Sequence, residues 1–321
     1  MVKVFSMFTG IGGFELGIRR SGIDAELIGY SEIDKYAIQI FEKHFEGVKN
    51  YGNATNIMGE QLPAFDLLVG GFPCQAFSVA GHQKGFDDTR GTLFFDIARI
   101  LEDKRPRNLV LENVKGLLSH DSGKTFHTIL RILSEMGYDV EWQVLNSKDF
   151  GVPQNRERVY IVGHLGGRSG RKVFPLRGEG SSITRNKVTN EWNVYAVQDT
   201  IRINKRQNGT RFRGQDEPSH TITATDRHGV LFELTKNKAQ GQRIYESENG
   251  LSNTLNTSFS RSGIYKMGAR IRRLTPIECN RLQGFPDDWT EGISETQQFK
   301  TIGNAVTVNV VENVIKSLYN E

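Results

Sequence analysis

Val2-Lys3-Val4-Phe5-Ser6-Met7-Phe8-Thr9-Gly10-Ile11-Gly12-Gly13-Phe14-Glu15-Leu16-Gly17 opens the chain, and its reading decides the fold. An apolar run suited to a strand ends in a glycine-rich turn. Residues with helical apolar spacing, Phe14–Arg20, follow. Glycines let backbone approach a ligand closely, and the opening of a helix offers free N–H groups. About 20 residues further on, Glu32 closes a second apolar run, where a carboxylate can accept from ribose hydroxyls. The spacing is G-x-G-G rather than G-x-G-x-x-G, so a nicotinamide dinucleotide does not follow automatically. The turn reads either as a nucleoside-cofactor cradle or as a structural tight turn.

Outward from that turn, short apolar runs alternate with amphipathic stretches. Val2–Phe8, Ala25–Tyr30, Phe65–Val69, Asn108–Leu111, Val140–Leu145 and Val159–Gly163 read as strands. Phe14–Arg20, Lys35–Phe45, Thr92–Leu101 and Lys124–Met136 read as helices. Such alternation predicts a doubly wound, mostly parallel α/β sheet with ligands at the carboxyl ends of its strands. The loops after Phe8, Tyr30, Gly70 and Leu111 are therefore expected on one side. Beyond Gly163, the stretch from His164 to Ser182 is rich in Gly, Ser and Arg and reads as a linker. From Lys187 to Lys266 the runs are short and rich in Thr, Ser and Asn, which predicts an irregular, mainly β domain. Helical signal returns at Thr275–Leu282, with Thr275 as N-cap and Pro276 in the first turn, and at Val306–Leu318.

Composition bounds the function. At 321 residues, 37% hydrophobic and 24% charged, the chain can bury a core, and about 150 residues per domain suggests two domains. No apolar run approaches the roughly 20 residues that span a bilayer. The N-terminus is broken by glycines and lacks a small-residue cleavage site, so it is not read as a signal peptide. Two cysteines, Cys74 and Cys279, exclude a disulfide framework and an all-cysteine zinc site, and suit a reducing cytosol. No metal site is expected. Charge is uneven: residues 168–273 hold 20 Lys and Arg against 9 Asp and Glu, whereas residues 1–160 hold 18 against 21. A basic segment beside a slightly acidic one fits a polyanion-binding module joined to a catalytic domain, or simply a solvated basic face.

Gly70-Gly71-Phe72-Pro73-Cys74-Gln75-Ala76-Phe77-Ser78 carries the second signal. A free cysteine is usually a small buried hydrophobe. Cys74 instead lies in a polar, glycine-flanked loop on the ligand side of the sheet, followed by a long stretch, Val79–Arg90, that suits a lid.

With these loops and Glu112-Asn113-Val114 in view, the sequence resembles the DNA (cytosine-5) methyltransferases of bacterial and phage restriction–modification type. The resemblance runs along nearly the whole chain, in the family's order. FTGIGG is followed by SEID, GFPCQAFSVAG, ENV, QNRERVY, RRLTPIECNRLQGFPDDW and GNAV at Gly303–Val306. It is weakest between about 168 and 268, where the family's target-recognition region lies. Two positions depart from the common pattern: Asn53, where many members carry an aspartate near the adenine, and Ala80, where some carry a small polar residue near the DNA.

The resemblance implies an S-adenosylmethionine-dependent methyltransferase fold with a second, smaller target-recognition domain. It implies transfer of a methyl group from S-adenosylmethionine to C5 of a flipped-out cytosine in double-stranded DNA, leaving S-adenosylhomocysteine. Cys74 would add to C6, and Glu112 would contact or protonate N3. Pro73 would fix the backbone at Cys74, Arg158 would meet cytosine O2, and Arg156 would lie beside the thiol and a phosphate. Cofactor contacts are expected from Phe8, Thr9, Gly10, Ile11, Gly12, Gly13, Glu32, Ile33, Asn53, Ala54, Pro73, Asn304 and Val306. DNA contacts are expected from Gln75, Ser78, Ala80, Gln240, Arg243 and Thr254. Glu278, Arg281 and Gln283 read as supports for the recognition region, and Cys279 as structural.

The boundaries read as 1–167 for the catalytic and cofactor domain, 168–268 for target recognition, 269–290 for a hinge, and 291–321 for a segment returning to the catalytic domain. The implied setting is the bacterial cytosol or nucleoid, with a monomer acting on duplex DNA, no membrane, and a cognate restriction endonuclease encoded elsewhere. A tRNA-methylating branch of the same family would keep the chemistry and change the substrate. A nicotinamide-dependent oxidoreductase would leave Pro73-Cys74, Glu112 and the basic segment unexplained. A non-catalytic DNA-binding module would leave Cys74, Glu112 and Arg158 without a purpose.

Overall fold

The computed structural model describes residues 1–73, 93–166, 172–178 and 274–319. It also describes residue 218 and the backbone of four strands, 192–197, 212–213, 229–234 and 270–273. Six strands form the main sheet: β1 (Val2–Met7), β2 (Ala25–Ser31), β3 (Leu67–Gly71), β4 (Asn108–Val114), β5 (Tyr138–Asn146) and β6 (Glu157–Leu165). Their order is β2-β1-β3-β4-β6-β5. The first four run parallel. β6 runs antiparallel to both β4 and β5, which the expectation of a mostly parallel sheet did not specify. β5 and β6 are joined by residues 147–156, which hold one 3-10 turn and no crossover α-helix, and so short a connection suits an antiparallel pair.

Helices α1 (Gly13–Ser21), α2 (Lys35–His44), α3 (Leu93–Lys104) and α4 (Lys124–Glu135) fall where apolar spacing predicts them. Alternation along the strands builds two cores, because successive side chains leave a strand on opposite faces. Phe5, Leu68 and Leu109 join Ile97, Leu101 and Ile129 of α3 and α4 on one face. Val4, Leu67, Val69, Val110 and Val162 join Phe14 and Ile18 on the other.

Three further helices follow: α5 (Pro276–Gln283), α6 (Glu295–Asn304) and α7 (Val308–Tyr319). α5 is capped as the sequence predicts. The Thr275 hydroxyl accepts from the Glu278 N–H, the Glu278 carboxylate accepts from the Thr275 N–H, and Gly284 ends the helix with φ 81°. α6 has no counterpart in the sequence reading. Its buried face rests on few apolar residues, Ile302 among them, and so gives little periodic signal. α7 lies on α1, where a Cβ at Gly17 would come 2.6 Å from Val311 Cγ1. Val310, Val311, Val314 and Ile315 complete the second core.

Residues 172–178, expected within a linker, instead pack on the sheet. Val173 and Phe174 are buried, and their N–H groups donate to the Glu141 carboxylate at 3.1 and 3.2 Å. Leu176 exchanges two hydrogen bonds with the Gln143 amide. Four short strands, β7 (Trp192–Val197), β8 (Phe212–Arg213), β9 (Gly229–Leu234) and β10 (Arg270–Arg273), pair antiparallel in the order β10-β9-β7-β8. Three of them lie in the stretch expected to be mainly β. Among the described residues no helix is long and apolar enough to cross a membrane.

Candidate active site at the carboxyl edge of the sheet

Strand register brings the chemistry to one edge. Met7 pairs with Ser31 and with Gly70, and Gly71 pairs with Glu112, so the loops after β1, β2, β3 and β4 leave from the same side. This is the convergence that the alternating pattern predicts.

The loop after β1 holds three residues at positive φ: Phe8 at 53°, Gly10 at 60° and Gly12 at 89°. Such a conformation costs a non-glycine residue on the order of 1–3 kcal/mol, so Phe8 is held there by its surroundings. A Cβ at Gly12 would lie 2.6 Å from the Phe45 ring, and one at Gly13 would lie 2.7 Å from Val306 Cγ2. A Cβ at Gly10 would meet nothing within 4 Å. The loop is thus packed on its inner side and open at Gly10. Gly12 caps α1 without a side-chain bond, leaving that helix opening to backbone donors.

Glu32 fastens this loop to the next. One carboxylate oxygen accepts from the Gly10 N–H at 2.8 Å, and the other from Ile33 and Asp34 at 2.7 and 2.8 Å. Ile33 is 70% exposed beside it, an apolar side chain left in the open at the mouth of the site. The Asn50 side-chain oxygen Oδ1 accepts from both Glu32 N–H and Gly52 N–H, which sets the turn bearing Asn53 alongside. Asn53 is exposed, and its side-chain oxygen accepts from Thr55 N–H at 3.1 Å as it caps a short turn over Ala54–Asn56. Arg99 holds that turn from below by donating to the carbonyls of Ala54 and Ile57.

At the ends of β3 and β4, Glu112 Oε1 meets Arg158 Nε at 3.1 Å, and both side chains are largely buried. A Cβ at Gly71 would come 3.2 Å from Glu112 Oε2, so the carboxyl sits directly over the residue that leads into Phe72-Pro73. Burial raises the Glu112 pKa above the ordinary carboxyl range, and the charges of Arg158 and Arg156 offset this only in part. Asn113, buried, donates to the Phe72 carbonyl at 2.8 Å and accepts from its neighbour Val114 N–H. It therefore fixes the start of the Pro73 loop to β4. The ENV motif contained this residue, but nothing in the sequence assigned it that task.

Arg156 is buried and donates to the carbonyls of Ala305 at 2.8 Å and Gly303 at 3.4 Å. Burial, then the Arg158 charge, lower its guanidinium to about 9, with Glu112 opposing, so it stays charged at neutral pH. Arg156 thereby braces the turn between α6 and α7 that delivers Val306. Val306 packs between Gly13 and Gly71, while Asn304 is exposed. Gln283, expected to support the recognition region, is instead fully buried in this junction. Its amide donates to the Ile302 carbonyl and its oxygen accepts from the Thr307 hydroxyl. Arg281 forms a surface pair with Asp287. Cys279 is buried and its thiol is pushed up to about 12, so it is no nucleophile. Cys74, Gln75, Ser78, Ala80, Gln240, Arg243 and Thr254 lie outside the described residues.

A buried carboxyl beneath the glycine loop was not foreseen. Neither oxygen of Glu15 meets a partner at hydrogen-bond geometry. Burial raises its pKa to about 7, and the nearby Ser6 hydroxyl offsets this only in part. The folded value stands above the unfolded one, so the favourable contribution is full below about 4.5 and is lost as pH rises through about 7. Glu15→Gln is expected to stabilise the protein at pH 8, with the difference shrinking as pH falls to 5. A shift of this size corresponds to about 3 kcal/mol. Chemical denaturation of both proteins across that range checks it.

Among the described residues no group of three His, Cys, Asp or Glu side chains is placed to hold a metal ion. The family described as C-5 cytosine-specific DNA methylase matches residues 2–320. The chain is 37% identical to the type II methyltransferase M1.ScrFI of Lactococcus lactis subsp. cremoris, over 98% of this chain and 77% of that protein. It is 35% identical to M.HhaI of Haemophilus parahaemolyticus, over 98% of this chain and 93% of that protein. Among solved structures, the Entamoeba histolytica methyltransferase EhMeth superposes with a TM-score of 0.67 at 21% identity, covering 100% of this chain and 98% of that one.

Proposed function

The chain belongs to the C-5 cytosine-specific DNA methylase family and is a DNA cytosine-5 methyltransferase, and from that premise we propose that it works through a covalent bond between Cys74 sulfur and C6 of a cytosine turned out of duplex DNA, with S-adenosylmethionine as methyl donor. The observation that carries this reading is Glu112: a desolvated carboxyl, paired with Arg158 and set over the residue that opens the Pro73-Cys74 loop.

The residues present fit the donor. The glycine loop is open at Gly10, where a Cβ would meet nothing within 4 Å, so a ligand can approach its backbone there. Glu32 Oε2 accepts one bond, from Gly10, which leaves capacity for a ribose hydroxyl. Ile33 and Phe8 offer apolar faces to the adenine, with Thr9, Ile11, Asn53, Ala54, Pro73, Asn304 and Val306 around them. When bound, S-adenosylmethionine supplies a methyl group on a sulfonium, which leaves as a neutral thioether.

Cytosine C5 is a poor nucleophile in the free base. The Cys74 thiolate adds to C6 and pushes electron density toward C5. Glu112 holds its proton to higher pH than an ordinary carboxyl and places it at N3, where negative charge would otherwise collect. Arg158 orients Glu112 through their 3.1 Å contact and reaches cytosine O2. Arg156 braces the site from behind. Once C5 bears its methyl group, the C5 proton leaves to solvent, Cys74 is expelled as thiolate, and the N3 proton returns to Glu112, which restores the neutral ring. A stacked base cannot be reached, and turning it out costs a few kcal/mol, which pocket contacts offset. Gln75, Ser78, Ala80, Gln240, Arg243 and Thr254 contact the duplex, and the basic stretch 168–268 reads the site. The protein acts as a monomer, and a cognate endonuclease cutting the same site is its functional counterpart.

Bisulfite sequencing of DNA from cells expressing the protein tests this. Protected cytosines at one short recurring sequence are expected. Incorporation of labelled methyl groups into tRNA, with plasmid DNA unmodified, would replace the duplex as substrate.

A further inference from the structure

Trp289 lies in the GFPDDW stretch, far in sequence from the glycine loop, yet its indole N–H donates to the Ile11 carbonyl at 2.8 Å. Ile11 is fully buried, and Trp289 nearly so. The α1 ladder is joined one residue further on, by Leu16 N–H to Gly12 O, so the Ile11 carbonyl belongs to the loop rather than to the helix. The indole is itself held in place. The His44 ring stacks on it at 3.7 Å and 5°, and His44 Nε2 lies 2.8 Å from the Trp289 carbonyl. A carbonyl only accepts, which fixes the proton on Nε2. Lys43 donates to the carbonyls of Asp288 and Glu291, and Gln39 to that of Gly292, so α2 grips the backbone on both sides of Trp289. Phe45, which backs Gly12, and Phe285 close the cluster with ring centroids 6.1 and 5.4 Å from Trp289.

We propose that Trp289 is a positioning residue for the cofactor loop: it sets the backbone between Gly10 and Gly12 and so the affinity for the nucleoside of the methyl donor. The inference rests on the assignment of that loop to the donor. Its chain path adds a consequence. The segment runs from β10 through α5 to Trp289, so the loop is tied to a strand of the second sheet.

Trp289→Phe keeps a ring in the cluster and removes only the donor. Calorimetric titration with S-adenosylhomocysteine is expected to show dissociation about tenfold weaker, the factor that ~1.4 kcal/mol represents. In steady state, KM for the donor rises by a similar factor, while kcat and KM for DNA stay within about twofold. Unfolding of the free proteins checks that the fold is kept. His44→Ala, which removes the stack and leaves the indole, is expected to weaken binding in the same direction by a few fold. Should both variants bind S-adenosylhomocysteine as the wild type does, the role of Trp289 is overturned and the site assignment stands. A wild-type protein that binds no S-adenosylhomocysteine overturns the assignment, and this role with it. A fall in kcat together with a rise in both KM values in Trp289→Phe would mark a merely structural residue and also overturn the proposal.

Discussion

Cys74→Ala is expected to abolish methyl transfer while leaving duplex and donor binding in place. No other thiol can substitute: the chain has two cysteines, and Cys279 is on the buried face of α5 with its thiol pushed up to about 12. Losing a nucleophile removes a whole pathway rather than one contact, so the fall should be on the order of 10⁴-fold or more. Two measurements divide the possibilities. Single-turnover transfer reports the chemistry. An oligonucleotide carrying 5-fluorocytosine at the target base reports the covalent step, because fluorine cannot leave as the proton does. The wild type should give an adduct that survives denaturation, and Cys74→Ala should give none. Transfer persisting in the variant would remove the thiolate from the mechanism.

Glu112→Gln is expected to lower turnover by about 10²- to 10⁴-fold, the range over which a positioned acid contributes. Gln preserves size and can keep a contact with Arg158, so the fold survives, but it has no proton to give to N3. The pH dependence separates this from a loss of shape. Burial raises the Glu112 pKa, with the Arg158 and Arg156 charges opposing. The carboxyl is therefore protonated to higher pH than an ordinary glutamate, and wild-type turnover should lose this contribution as pH rises through the raised value. The residual activity of Glu112→Gln should lack that limb. Stability carries the same sign: the share owed to Glu112 is present below the ordinary carboxyl value and is lost as pH rises through the folded one. A variant whose profile keeps the wild-type limb would assign it to another group.

Much of this architecture is legible from local pattern. β1 to β4 and α1 to α4 follow from apolar runs and helical spacing, because each buries a continuous face. The carboxyl-edge placement of Gly10, Glu32, Gly71 and Glu112 then follows from a parallel sheet. Legibility ends where partners are distant in sequence. Arg156 reads as a residue beside the thiol, yet its described partners are carbonyls at Gly303 and Ala305, almost 150 positions away. Gln283 reads as a support for the recognition region, and its described contacts lie in the buried α6–α7 junction. Residues 172–178 read as linker because Gly, Ser and Arg surround them. Their order comes from Glu141 and Gln143, whose side chains stand in for strand pairing. Glu15 is a charged residue in the first turn of α1, which gives no sign of burial, yet it lies buried near the Ser6 hydroxyl of β1.

The helix α7 that lies on α1 has an effect on how the gene product can be altered. The face of α1 stays bare until α7 is made, so a fragment ending near residue 167 would present Gly17 and its apolar neighbours to water. The interval between the packed Leu176 and Leu274, which carries the four strands of the second sheet, is an insertion anchored at both ends on the main body. Lengthening the connections of such an insertion twofold adds only about 0.6 kcal/mol of closure entropy. Exchanging that interval for a sequence of different length should leave the core's cooperative unfolding almost untouched, whereas removing α7 should not.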